Sequence, residues 1–169
     1  MLSNKKGQMT NAIYGFLSTF QKLLKDIEPQ RVAIAFDLPQ PTFRHNIYAD
    51  YKATRHKMPD ELASQMPILK ELLCAMGYKL VTLEGFEADD ILGTFASYCE
   101  KNNYECVLAT GDRDILQLVS SNVTVRIAST KFGKAESTFY DLEKVKEEYG
   151  VLPKSLIGLA LTLKSMINF

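Results

Sequence analysis

Apolar residues Ile13, Phe16, Leu17, Phe20, Leu23, Leu24 and Ile27 recur three and four positions apart, which predicts one face of a helix. Thr10 or Asn11 can cap its start and Pro29 stops it. The unbroken run Val32-Ala33-Ile34-Ala35-Phe36, ending at Asp37, has the pattern of a parallel-sheet strand buried on both faces. Residues 39–59 are polar, with interspersed aromatic and basic positions. Leu62, Met66, Leu69, Leu72, Leu73 and Met76 then mark a second helix ending before Gly77, in which Pro67 signals a kink or a late start. A short strand over 79–83 leads through Gly85 to a third helix, opening at 87–90 and marked by Ile91, Leu92, Phe95 and Cys99. Residues 106–110 form another buried strand, broken by Gly111-Asp112. A short helix over 115–119, a strand over 123–127 and a turn or hairpin region over 130–135, centred on Gly133, follow. Asp141 caps a helix through Tyr149 with Gly150 at its C′ position, and a last apolar helix runs from Pro153 to Leu163. Strands alternating with helices predict an α/β domain with a mostly parallel sheet flanked by helices.

Composition narrows the class. The 169 residues amount to one domain, 46% hydrophobic and 24% charged. Twenty basic and 20 acidic residues give no net charge, which excludes a uniformly basic coat but allows local patches. No apolar stretch follows the first lysines and no run approaches a membrane span, so no signal peptide or membrane partner is expected. Cys74, Cys99 and Cys106 form no CxxC pair and read as reduced, small core residues of a cytoplasmic protein.

The acids fall at predicted strand ends. Asp37 closes one strand, Glu87, Asp89 and Asp90 follow the next, and Asp112 and Asp114 follow a third. An open parallel sheet places all strand C-termini along one edge, so these six carboxylates are expected to converge. Two carboxylates about 4 Å apart repel by roughly 4 kcal/mol at an effective dielectric near 20, so such a group needs cations or protons. Acids without His or Cys companions suit hard cations, Mg²⁺ or Mn²⁺, and paired metals held this way support phosphodiester hydrolysis. Singly, each acid is better read as a capping or turn residue, and it is their agreement at three strand ends that favours the functional reading.

Residues 42–57 interleave aromatics with cations. Arg44, Lys52, Arg55 and Lys57 can reach phosphates, and Tyr48 or Tyr51 can stack on a base. The plain alternative is a solvated loop, and proximity to Asp37 tips the reading toward nucleic acid. His45 and His56 read as surface residues rather than metal ligands.

Several blocks carry a resemblance: Ala35-Phe36-Asp37, Thr42-Phe43-Arg44, the 51–55 run Tyr-Lys-Ala-Thr-Arg, the 85–94 block containing Glu87-Ala88-Asp89-Asp90, and the 109–119 block containing Gly111-Asp112-Arg113-Asp114. In order and spacing they resemble the 5′-nuclease domain of bacterial DNA polymerase I and its stand-alone exonuclease relatives, over residues 2–161. The resemblance implies a PIN-like fold and a metal-dependent 5′-3′ exonuclease and 5′-flap endonuclease acting in replication and repair. It assigns metal binding, of two Mg²⁺ or Mn²⁺ ions, to Asp37, Glu87, Asp89, Asp90, Asp112 and Asp114. It assigns catalytic phosphate steering to Lys52 and Arg55, with DNA contacts from these two, Arg44, Tyr51, Thr10 and Asn11. DNA with a 5′ end or flap is the implied partner. A polymerase region in the intact gene product, a monomeric state and a place at the bacterial nucleoid go with it.

Two departures shape the expectation. The family begins with a further central strand ending in Asp-Gly, ahead of anything in this sequence. It continues past the last helix into a Gly-Asp-x-x-Asp block and a helix-hairpin-helix element. Here residues 162–169 carry no acid. The expectation is therefore one incomplete domain over 1–169, without its first central strand, with a weak second metal site and impaired cleavage. The alternatives are a catalytically deficient DNA-binding remnant and a PIN-type ribonuclease.

Overall fold

The structure, a computed structural model, describes residues 2–5, 7–48, 51, 57–131 and 134–156. The chain divides into two compact units, Met1–Ile91 and Leu92–Phe169.

In the first unit, α1 (Asn11–Ile27) turns its apolar stripe toward α4 (Met66–Ala75). Ile13, Leu69 and Leu73 form the centre of this core, with Phe16, Phe20, Ile34, Tyr78 and Leu80 packed around it. Leu73 is fully buried, a burial that contributes about 1.5–3 kcal/mol. Thr10 occupies the N-cap position of α1 but makes no side-chain cap bond. The buried Gln65 caps instead, its Oε1 accepting from the N–H groups of Ala12 at 2.9 Å and Ile13 at 3.4 Å. This contact spans 53 residues of sequence, beyond what local capping patterns reveal. Pro67 marks a late start: α3 (Asp60–Ala63) precedes α4, and the proline lies in the first turn, where its missing N–H costs nothing.

β1 (Ala33–Ala35) pairs in parallel with β2 (Lys79–Val81), Ile34 opposite Leu80. The Phe36 N–H donates to the Val81 carbonyl at 3.0 Å, so the ladder extends one bond toward Asp37. Between the strands, α2 (Phe43–Ile47) starts with a capping box in which Thr42 and His45 serve each other's backbone. α5 (Ala88–Lys101) opens after the turn at Gly85, whose φ of +80° favours glycine.

The second unit holds a three-stranded sheet. β3 (Cys106–Thr110) lies parallel to β4 (Val123–Lys131), Leu108 opposite Val125, and β4 lies antiparallel to β5 (Lys134–Tyr140), Val125 opposite Tyr140. Leu116, Val123, Val125, Tyr140 and Val145 form the buried centre. The expected helix after Asp114 is a 3₁₀ turn, Arg113–Leu118, whose Ile115 and Leu116 are buried. In α6 (Leu142–Tyr149), Asp141 accepts from the Lys144 N–H at 2.8 Å, and Gly150 closes the helix at φ 71°. A 3₁₀ turn, Pro153–Ser155, starts the last expected helix, most of which lies outside the described residues.

Three expectations need correction. Of the turn or hairpin expected over 130–135 the hairpin is what forms, but β4 runs on to Lys131, past the expected strand end at 127, and β5 follows it as a strand that was not expected. β5 escaped notice because Lys134-Ala-Glu-Ser-Thr has no apolar alternation, and pairing with β4 stabilises it instead. Neither β1 nor β3 is buried on both faces: among the described residues each has one strand neighbour, and in β3 Leu108 is buried while Val107 and Ala109 are exposed. The cysteines are not fully buried core residues: Cys74 is exposed, Cys99 is half-buried, and Cys106, also half-buried, packs against the core of the second unit. Burial, helped by neighbouring Cys99, pushes the Cys106 thiol up to about 12. Among the described residues no helix is long and apolar enough to cross a membrane.

Candidate nuclease site

In the first unit, parallel pairing puts the C-terminal ends of β1 and β2 side by side, and the chain leaves both through acid-bearing segments. Asp37 stands just beyond β1, and its Oδ1 accepts from the Ala88 N–H at 2.6 Å, tying the end of β1 to the start of α5. Asp90, in the first turn of α5, accepts at Oδ2 from the Glu87 N–H at 2.9 Å.

Arg44 reaches these acids from α2. Its two terminal nitrogens donate to the two oxygens of Asp90, both at 2.7 Å, and one lies 3.9 Å from Glu87 Oε2. A forked, charge-assisted pair of this kind fixes direction as well as distance. Asp90 holds the guanidinium even more firmly protonated than usual. Tyr51 donates its hydroxyl to Glu87 Oε2 at 3.2 Å. Phe43 supports the assembly: its N–H donates to the Gly85 carbonyl at 2.9 Å, its ring lies 5.5 Å from Phe86, and the Arg44 guanidinium sits over it at 4.6 Å. A cleft of about 270 Å³ opens alongside, with Asp37, Glu87, His45 and Phe86 in its wall. His45, expected at the surface, is half-buried; its Nδ1 accepts from the Thr42 N–H at 3.0 Å.

The second unit carries the other two acids. Asp112 caps the 3₁₀ turn, Oδ1 accepting from the Asp114 N–H at 2.8 Å, and its own N–H donates to Thr110 Oγ1 at 3.1 Å. Both aspartates are exposed. Between them, Arg113 donates to Glu148 Oε1 at 2.8 Å and to the Tyr149 hydroxyl. Tyr140 donates to Glu148 Oε2 at 2.9 Å. Arg113 holds the Glu148 carboxyl below its ordinary range, against a smaller opposing effect of burial.

The structure thus joins Asp37, Glu87, Asp90, Arg44 and Tyr51 through one network in the first unit, and Asp112 with Asp114 in the second. Asn11 Oδ1 accepts from Gln65 at 3.3 Å, and Thr10 is engaged through its backbone N–H with Leu2. Lys52 and Arg55 lie outside the described residues. Sequence reasoning missed Gln65, Glu148, Tyr140 and Tyr149, for which no motif offered a signal.

Comparison with known proteins decides the family. Residues 1–150 match the model of the 5′-3′ exonuclease N-terminal, resolvase-like domain. The chain belongs to this family. DNA polymerase I of Bacillus subtilis (strain 168) is 43% identical over 159 residues, covering 94% of this chain and 18% of the polymerase. DNA polymerase I of Mycobacterium tuberculosis (strain H37Rv) is 45% identical over 148 residues, covering 88% and 16%. The chain therefore spans less than a fifth of these relatives. Among solved structures, T5 5′-exonuclease with bound divalent metal ions (zinc) aligns with a TM-score of 0.63 at 21% identity, over 86% of this chain and 55% of that one. A bacteriophage T5 flap endonuclease complex with DNA and metal ions aligns at 0.60 and 19%, over 86% and 57%. The 5′-nuclease fold anticipated from the motif blocks is the fold these neighbours share.

For a 5′-3′ exonuclease domain, the donor set matters. Every candidate ligand is a carboxylate, the donor type of hard divalent cations. Among the described residues no three His, Cys, Asp or Glu side chains are grouped to hold one ion. The fit is one of donor chemistry, not of a finished cage.

Proposed function

We propose that this chain supplies the nuclease core of a 5′-3′ exonuclease and 5′-flap endonuclease, hydrolysing DNA phosphodiesters with Mg²⁺ or Mn²⁺. The observation that carries the reading is the network around the paired ends of β1 and β2, where Asp37, Glu87 and Asp90 are fixed by Arg44, Tyr51 and the backbone. Asp37, Glu87, Asp89, Asp112 and Asp114 are the residues that would hold cations. Asp90 gives both oxygens to Arg44 and so serves as an anchor. Bound divalent cations would supply an activated water and offset the charge of the scissile phosphate. The protein's part is to orient the carboxylates: Arg44 fixes the first turn of α5, and Tyr51 directs Glu87. Lys52 and Arg55 would guide the phosphate, with Thr10 and Asn11 beside the DNA. The setting is the bacterial cytoplasm at the nucleoid, as a monomer joined in its parent gene product to a polymerase region.

The test is the whole chain on duplex DNA with a 5′ flap. Cleavage that needs Mg²⁺ or Mn²⁺ and stops in EDTA supports the nuclease reading. Salt-dependent binding of the flap with no cleavage at any Mg²⁺ or Mn²⁺ concentration would leave a DNA-binding module. The specific observation behind that second reading is that, among the described residues, the carboxylates are not grouped for one ion. Preference for an RNA flap would point to a ribonuclease.

A further inference from the structure

Arg113 is an awkward neighbour for two cation ligands. It stands between Asp112 and Asp114, and an arginine pairs with carboxylates strongly and in two-pronged fashion. Yet its partners lie elsewhere: Glu148 at 2.8 Å, the Tyr149 hydroxyl, and the Tyr140 ring with its centroid 5.8 Å from the guanidinium. A 3₁₀ turn advances three residues per revolution, so adjacent side chains diverge and the middle residue can be drawn away from its flanks. What draws it is rigid. Tyr140 is 1% exposed, and its hydroxyl fixes Glu148 Oε2, leaving Glu148 Oε1 directed at Arg113.

We propose that Glu148, held by Tyr140, sequesters Arg113 from the two aspartates that flank it and so keeps Asp112 and Asp114 available to a divalent cation. This rests on the nuclease reading, because only a cation-binding role gives the aspartates something to be kept available for. With Glu148 neutralised, the guanidinium becomes a tethered competitor one residue from each carboxylate. A tethered group acts at an effective concentration far above that of a free solute. Glu148 and Arg113 are thereby positioning residues, not catalytic ones.

The test is Mn²⁺ binding to the full chain, followed by electron paramagnetic resonance, without DNA or turnover. Glu148→Ala and the milder Glu148→Gln should weaken Mn²⁺ binding about ten-fold, equivalent to ~1.4 kcal/mol. The double variant R113A/E148A should recover to within about twofold of the original chain, because the competitor is gone. Circular dichroism confirms that each variant is folded. If R113A weakens binding as much as E148A and the double variant shows no recovery, the clamp is merely part of the fold and the proposal is overturned. If D112N and D114N leave Mn²⁺ binding unchanged, these aspartates hold no cation. That distinct pattern removes their place in the nuclease reading and the proposal with it.

Discussion

Each unit sets an arginine against an acidic block, in opposite senses. Arg44 enters the first block from 46 residues away and gives both prongs to Asp90. Arg113 is inside the second block by sequence and turns out of it, to Glu148 on α6. The burial differs as well. Arg44 and Asp90 side chains are 32% and 22% exposed, whereas Arg113 and Glu148 are 55% and 33% exposed. The first pair binds α2 to the start of α5 and is part of the architecture. The second leaves two aspartates exposed beside a cation that is engaged elsewhere. Sequence adjacency and spatial partnership are separate matters, and in charged sites the second decides the chemistry.

The largest expected effect tests whether the carboxylates act as proposed in both units. Asp37→Asn and Asp112→Asn should each lower Mg²⁺-dependent flap cleavage by about 100-fold or more, since several kcal/mol of charge stabilisation is at stake. Full activity in either variant would detach that unit from the chemistry. The next effect separates the two arginines by stability. Arg44→Ala leaves Asp90 and Glu87 facing each other half-buried, and should cost about 1.5–3 kcal/mol after allowance for solvent exposure. Arg113→Ala removes a more exposed pair and should cost under about 1 kcal/mol. Thermal unfolding in EDTA measures both. Equal losses would erase the contrast between the two blocks.

What the sequence revealed follows from range. The ends of α1, the cap of α6 and the position of β3 were legible because periodicity, Asp141, Pro29 and Gly150 act locally. The motif blocks disclosed the family because their acids and glycines keep a fixed order. Gln65 capping α1 and Glu148 holding Arg113 were not legible, since nothing near either residue announces a partner 53 or 35 positions away. β5 was missed for a related reason: its pairing with β4, not its own pattern, makes it a strand. Gln65→Ala measures one such hidden contact. It strips two N–H groups at the start of α1 of their acceptor inside the first unit. Loss of about 1–2 kcal/mol in denaturant unfolding is expected, and an unchanged midpoint would show that water replaces the amide.

The smallest effect sharpens the comparison through pH. Arg44, with its pKa raised from an already high value by its bonds to Asp90, stays charged at every ordinary pH. Glu148 is different, because Arg113 lowers its carboxyl in the folded chain relative to the unfolded one. A lowered carboxyl contributes stability that is fully present above the unfolded value, about 4.3 for glutamate, and is lost as pH falls through the folded value. Exposure limits the contribution to well under about 1 kcal/mol. Denaturant unfolding from about pH 6 down to pH 3 should therefore show a steeper acid limb for the original chain than for Glu148→Gln, with the two curves converging at the acid end. A constant gap across that range would mean that the clamp acts through hydrogen bonding and packing alone. Arg113 would then be held as firmly in acid as at neutrality, by contacts that do not depend on the charge of its partner.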